Sequence, residues 1–322
     1  MTLRRTVDRG VRWLFMTTAA LSAVVLLGIL LFLLSYGVRT FLHPRARTAT
    51  GETTVAAETV ESPEETDEHP ATISDFFFGR VWNPDAYGKP RYGILPLLVG
   101  SLLTTLIALS IAVPAGVASA IFIAERLSGW PQLTAKTITE LFAGFPSVVL
   151  GFFGLTTLGP FIARLFKASS GLNLLTAGIV LALMSLPTII SVSDDALRVV
   201  PHSFREAACA LGASRFTTSI RIVLPAARSG ILAATMLGFG RAIGETMAVL
   251  MVAGNAPVIP KSIFDPVRTI TSTIAIELGE TSFNTTHFFA LFALGFVLFL
   301  IALASNVIAE SLIKRKKQSF TL

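Results

Sequence analysis

Long charge-free apolar stretches constrain this chain more than any other feature. Residues 95–124 contain no Asp, Glu, Lys or Arg, and comparable stretches cover 13–36, 168–193 and 281–309. Crossing about 30 Å of hydrocarbon takes roughly 20 apolar residues in a helix. A soluble domain of 322 residues would need a charged surface, yet only 14% of this sequence is charged and 52% is hydrophobic. Soluble domains carry about 25% charge. The pattern predicts an all-α, polytopic membrane protein with six transmembrane helices at 13–36, 95–124, 141–165, 174–192, 226–253 and 288–309. Pro96 starts the second and Pro114 lies inside it.

The basic residues divide unevenly between the two sides of this arrangement. One side takes Arg4, Arg5, Arg9 and Arg12, then Arg126 and Lys136. It also takes Arg198, Arg205, Arg215, Arg221 and Arg228, and finally Lys314, Arg315, Lys316 and Lys317. The other side holds fewer, most of them in one long loop where the positive-inside rule is weak, so both termini are predicted to be cytoplasmic. The first span has no small-residue cleavage pattern after it and reads as an uncleaved anchor. The chain is thereby divided into a cytoplasmic N-terminus and anchor (1–36), an external loop (37–93), a five-span unit (94–310) and a basic cytoplasmic tail (311–322). In the loop, the acidic 50–70 stretch is poor in large apolar residues and is expected to be disordered. The aromatic 75–93 stretch is expected to lie on the membrane surface.

Several functions are excluded or disfavoured. The basic residues sit at the ends of apolar segments, not on one soluble face, so nucleic acid is not an expected partner and membrane lipid is. One Cys and four His offer no metal set. There is no GxxxxGK[ST], GxSxG, HExxH or CxxC motif. The chain is read as a non-enzyme that binds no cofactor, and transport or scaffolding is favoured over catalysis.

Residues 193–225 interrupt the apolar pattern between the fourth and fifth spans. Ser193 to Val200 reads as a short helix with Asp194 and Asp195 in its first turn, broken by Pro201. Ser203 with Glu206 three residues on has the form of a capping box, and Gly212 is placed to end that helix. Ala207, Ala208 and Ala210 leave it slim enough to enter a groove on another protein. A third short helix runs to Pro225.

Glu206-Ala207-Ala208, Gly212, Ile222 and Leu224-Pro225 at these spacings resemble the EAA loop of ABC importer permeases. The stretches ELFAGFPSVVLGFFGL (140–155), LPTIISVSDDALRVVP (186–201), LPAARSGI (224–231), GRAIGETMAVLMVAGN (240–255) and FDPVRTITSTIAIELGE (264–280) together resemble phosphate-importer permeases of the PstC type. The pattern around Trp82 to Pro96 fits as well, and the acidic insert departs from it. This resemblance implies a type I ABC importer permease fold over 94–310 and a bacterial inner-membrane location. It also implies docking of the 206–225 residues on a cytoplasmic ATP-binding subunit that uses the ATP. A second permease (PstA-type, forming a heterodimer) and an external phosphate-binding protein complete the implied partners. An importer for another oxyanion or small solute, and an ion-coupled secondary transporter, stand as alternatives; the coupling loop argues against the latter.

Arg241 and Glu245 fall near the middle of the fifth span. Their i, i+4 spacing places both on one face of a continuous helix. A charge at that depth costs at least about 2.5–3.5 kcal/mol on insertion scales, so it should face the bundle interior or water. Two readings are open: a structural pair that neutralises itself, or an anion site. In the second, the guanidinium fork grips phosphate oxygens, Glu245 speeds release and Thr246 adds a hydroxyl. Glu140, Glu277, Glu280 and His287 are expected at the membrane boundaries. Gly144, Gly151 and Gly154 are expected to permit close helix packing, and Cys209 to be a small packing residue.

Overall fold

The computed structural model describes residues 2–42, 72–86 and 90–317. The acidic 50–70 stretch and the end of the basic tail lie outside them. Helix α1 (Thr2–Leu42) precedes α2 (Ile73–Phe78) and a small antiparallel hairpin of β1 (Trp82–Asn83) and β2 (Arg91–Tyr92), with Trp82 opposite Tyr92. Then come α3 (Leu95–Glu125), α4 (Trp130–Ala143), α5 (Ser147–Phe153), a π-turn over Gly154–Leu158, and α6 (Gly159–Phe166). Next are α7 (Leu174–Arg198), α8 (His202–Ala210), α9 (Arg215–Thr218), a second π-turn over Ser219–Val223 and α10 (Leu224–Ala226). The chain finishes with α11 (Arg228–Ile243), α12 (Met247–Val252), α13 (Ile270–Glu277) and α14 (Thr286–Lys317).

Among the described residues, five stretches are long and apolar enough to span: Phe15–Leu42, Leu95–Glu125, Ser147–Phe166, Leu174–Arg198 and Thr286–Ile308. A sixth results if Arg215–Ala226 and Arg228–Ile243, bent by 72°, count together. Three expectations change in detail. The third span starts at Ser147, because Gly144 ends α4 and Pro146 keeps the residue before it out of helical geometry. The fourth continues to Arg198, so no separate helix starts at Ser193. Asp194 and Asp195 thus sit near a helix C-terminus, where carboxylates are disfavoured; Arg198 (2.8 Å from Asp194) and Lys136 (3.1 Å from Asp195) offset this. The fifth span is not one helix: it stops at Ile243 and resumes at Met247.

The framework is the pair α3 and α7. A Cβ on Gly178 would lie 2.4 Å from Ile107, and one on Gly116 would lie 2.7 Å from Ile189. Only glycine admits this approach. Ile189 is fully buried between Gly116 and Gly238. Asn173 starts α7 by accepting the Thr176 N–H at 2.9 Å, a side-chain N-cap. Neither Pro114 nor Pro187 interrupts its helix.

A second cluster closes the bundle at the hairpin end: Phe76, Trp82, Ile94, Leu97, Ile270 and Leu291 are all buried. Part of the aromatic 75–93 stretch is therefore core, while Phe77 and Phe78 stay exposed. At the opposite end Leu197, Val200, Val223 and Ala227 pack against Ala120. Helix α1 packs on α14, where Gly37 meets Ala293, Phe32 meets Phe292 edge-on and Tyr36 lies tilted against it. Other large apolar side chains of α1, such as Leu21, Val24 and Leu27, face outward.

Candidate translocation site and coupling segment

Two helix breaks lie side by side, with Gly144, Phe145, Pro146 and Gly244 exposed. One lies between α4 and α5 at 144–146, the other between α11 and α12 at 244–246. The segments beyond the breaks pack closely: a Cβ on Gly151 would lie 2.9 Å from the Ala248 Cα, and one on Gly154 would lie 2.7 Å from Val180 and Val252. Gly144 differs from these two, since it caps α4.

Arg241 occupies the last turn of α11. Its Nη1 donates to Thr188 Oγ1 at 3.0 Å and its Nη2 to the Ala143 carbonyl at 3.3 Å. The guanidinium thus bridges from span five to α7 and to the carbonyl end of α4, where a cation complements the helix dipole. Glu245 does not share its helix. Its Oε1 accepts the Ala248 N–H at 3.3 Å, on the first turn of α12, where a carboxylate meets the positive dipole end. The self-neutralising i, i+4 pair, one of the two readings left open, does not form: the helix ends at Ile243, and the shared face ends with it. Thr246 donates to the Gly244 carbonyl at 3.4 Å and lines an open cleft of about 540 Å³ with Gly244, Thr271, Ile274, Ala275 and Leu278. Arg241 and Glu245 flank the break without lining this cleft.

At the far end of α3, α8 is held by Arg205. This side chain donates to Glu125 at 2.6 Å and to the carbonyls of Val200 at 2.7 Å and Leu197 at 3.0 Å. The sequence signalled Arg205 only as a charge, because its partners lie on other helices. The Ser203–Glu206 capping box is absent: Pro201 takes the N-cap position, and no side chain bonds to the helix start. Ala208 is 3% exposed, while Glu206, Ala207, Cys209 and Ala210 face outward. Cys209 is thus a surface residue. Gly212 has φ +81°, the left-handed geometry of a helix-ending glycine, and its N–H bonds the Cys209 carbonyl at 2.9 Å. Ile222 and Leu224 are half-buried beyond it and Pro225 is exposed.

Glu140 and Glu280 are exposed. Glu277 is not: it is 8% exposed and bonded to Trp82, Arg268 and His287. Trp82 is 195 residues away in sequence, so no local pattern could have indicated this cluster.

Residues 112–318 match the family described as "Binding-protein-dependent transport system inner membrane component". The chain is 40% identical over 243 residues to the probable ABC transporter permease protein YqgH of Bacillus subtilis, covering 76% of this chain and 78% of that one. It is 38% identical over 275 residues to the phosphate transport system permease protein PstC 1 of Mycobacterium tuberculosis, covering 74% and 81%. A solved structure of the MetNI methionine ABC transporter, inward facing, shares the fold at a TM-score of 0.52 and 18% identity, covering 69% of this chain and 94% of that one.

Proposed function

The chain belongs to the family of binding-protein-dependent transport system inner membrane components, and from that premise we propose that it is the permease subunit of an ATP-driven phosphate importer. It spans the inner membrane with both termini in the cytoplasm. It catalyses no reaction itself. A separate ATPase docks on the segment holding Glu206, Ala207, Ala208, Gly212, Ile222, Leu224 and Pro225. A second permease completes the pathway, and an external binding protein delivers phosphate. The named phosphate relatives support this substrate class.

The observation that carries the reading is Arg241. Among the described residues its hydrogen-bond partners are a hydroxyl and a carbonyl, so its charge is not cancelled by Glu245. An unneutralised guanidinium beside two helix breaks suits a dehydrated oxyanion, which needs donors to replace its water. Glu245 and Thr246 frame the same break. Anchoring of α8 to α3 and α7 through Arg205 gives a docked ATPase a rigid handle on the framework.

The test is uptake of labelled phosphate into vesicles holding the complete transporter. ATP-dependent uptake that excess sulfate fails to suppress is expected. Uptake driven by an ion gradient without ATP would overturn the reading in favour of a secondary transporter. Equal competition by sulfate would reassign the substrate to another oxyanion.

A further inference from the structure

Glu277 closes α13 beside the hairpin. Its carboxylate accepts from Trp82 Nε1 at 3.0 and 3.1 Å and from Arg268 Nη1 at 2.8 Å, and lies 2.9 Å from His287 Nε2. Arg268 also donates through Nε to the Asn255 carbonyl at 2.8 Å. Arg268 alone would compensate the buried charge; the further bonds to Trp82 and His287 join the hairpin and α14 to α13 through the same side chain, and Arg268 adds the segment after α12.

The other end of α13 is tied to the break in span five. Thr271, 7% exposed, donates its hydroxyl to the Glu245 carbonyl at 2.9 Å. That carbonyl lies past the end of α11, where carbonyls need partners from outside the helix. Ile270 N–H donates to Ser101 Oγ at 3.0 Å, which fixes the start of α13 on α3. Between its ends α13 walls the cleft through Thr271, Ile274 and Ala275. Thr271 and Glu277 are six residues apart, about 9 Å along a helix.

We infer that α13 is a strut, with Thr271 and Glu277 as positioning residues of the transport pathway. Thr271 holds the break next to Arg241, and Glu277 fixes the strut to the hairpin, so movement at the hairpin reaches the intramembrane break through contiguous contacts. The uptake readout below rests on the phosphate-permease reading; the geometry does not.

The complete transporter in a Cys209→Ser background, carrying Ala275→Cys, provides two measurements in right-side-out vesicles. One is maximal phosphate uptake per assembled transporter, together with the concentration of phosphate-loaded binding protein at half-maximum. The other is the labelling rate of the introduced cysteine by a membrane-impermeant maleimide. Thr271→Val and Trp82→Phe are each expected to lower maximal uptake at least about fivefold with the half-maximal concentration unchanged. Each is also expected to alter the labelling rate by a similar factor. Thr271→Ser, which keeps the hydroxyl, is expected to restore both. Wild-type uptake per transporter and unchanged labelling would overturn the strut, whatever the abundance of the variants, and so would a loss that Thr271→Ser fails to reverse. A wild-type transporter that takes up no phosphate would instead overturn the substrate reading, and the labelling series would still decide the strut.

Discussion

Helices α3 and α7 each carry an internal proline and run unbroken. The chain breaks just before span three and again within span five, and the break in span five contains no proline at all. The difference lies in what surrounds the backbone. Pro114 and Pro187 sit in helices pressed together along glycine seams, with Gly116 against Ile189 and Gly178 against Ile107, so neighbouring packing holds the helix through the lost hydrogen bond. At 144–146 and 244–246 the chain is held by side chains from other helices: Arg241 on the Ala143 carbonyl and Thr271 on the Glu245 carbonyl. Backbone bonds that end on side chains can exchange partners, whereas a seam without space cannot. The first pair is a framework and the second pair is suited to movement.

This contrast is easiest to break at Gly178. Gly178→Leu drives a branched side chain into Ile107, and overpacking of this kind costs about 1–3 kcal/mol or more. The chain should largely disappear from membranes, as read by immunoblot; normal abundance would mean that the seam is not rigid. Arg241→Gln should act in the opposite way. Abundance should hold while phosphate uptake falls roughly tenfold to a hundredfold, as the loss of charge-assisted hydrogen bonds worth about 1.5–3 kcal/mol implies. Arg241→Lys should recover part of that uptake, and adding Glu245→Gln to Arg241→Gln should recover none, because the two side chains are not paired. Wild-type uptake by a well-expressed Arg241→Gln variant would sink the anion site.

At the end of the framework, Ala208→Glu places a carboxylate at a buried position, and Gly212→Asp places a side chain at φ +81°. The left-handed geometry costs about 1–2 kcal/mol, so co-purification of the ATPase subunit should drop roughly tenfold while the permease still inserts. Full co-purification of both variants would remove this segment from the coupling path. The smallest effect is expected at Gly244. An added Cβ meets only the Gly240 carbonyl, at 3.4 Å, so Gly244→Ala should fit. Alanine favours helix over glycine by about 1 kcal/mol, which should bias the break toward closure and slow uptake roughly fivefold at normal abundance. Faster uptake would show that the break limits transport by being too open.

The sequence made some of these features legible and hid others for physical reasons. Spans two, four and six were evident because hydropathy is summed over many residues, and single errors cancel. Gly212 was evident because a left-handed helix end is a local demand. The break at 244–246 was hidden because the stretch on either side is apolar, and a hydropathy window averages across three residues. The Ser203–Glu206 pattern misled because Pro201, with φ −57° and ψ 142°, already supplied the non-helical geometry of an N-cap. Glu277 was hidden for the opposite reason to Gly212: its burial depends on Trp82, 195 residues away, closing over the Arg268–Glu277–His287 contacts.

The bond from Arg241 to the Ala143 carbonyl also bears on how tightly a site here could hold its cargo. The guanidinium already has an internal ligand, the carbonyl end of α4. An arriving oxyanion would compete with that carbonyl, and its departure would let the carbonyl return. Such internal competition would lower the affinity of an anion site at Arg241, while the carbonyl keeps the cation solvated. A pathway built this way would favour throughput over retention.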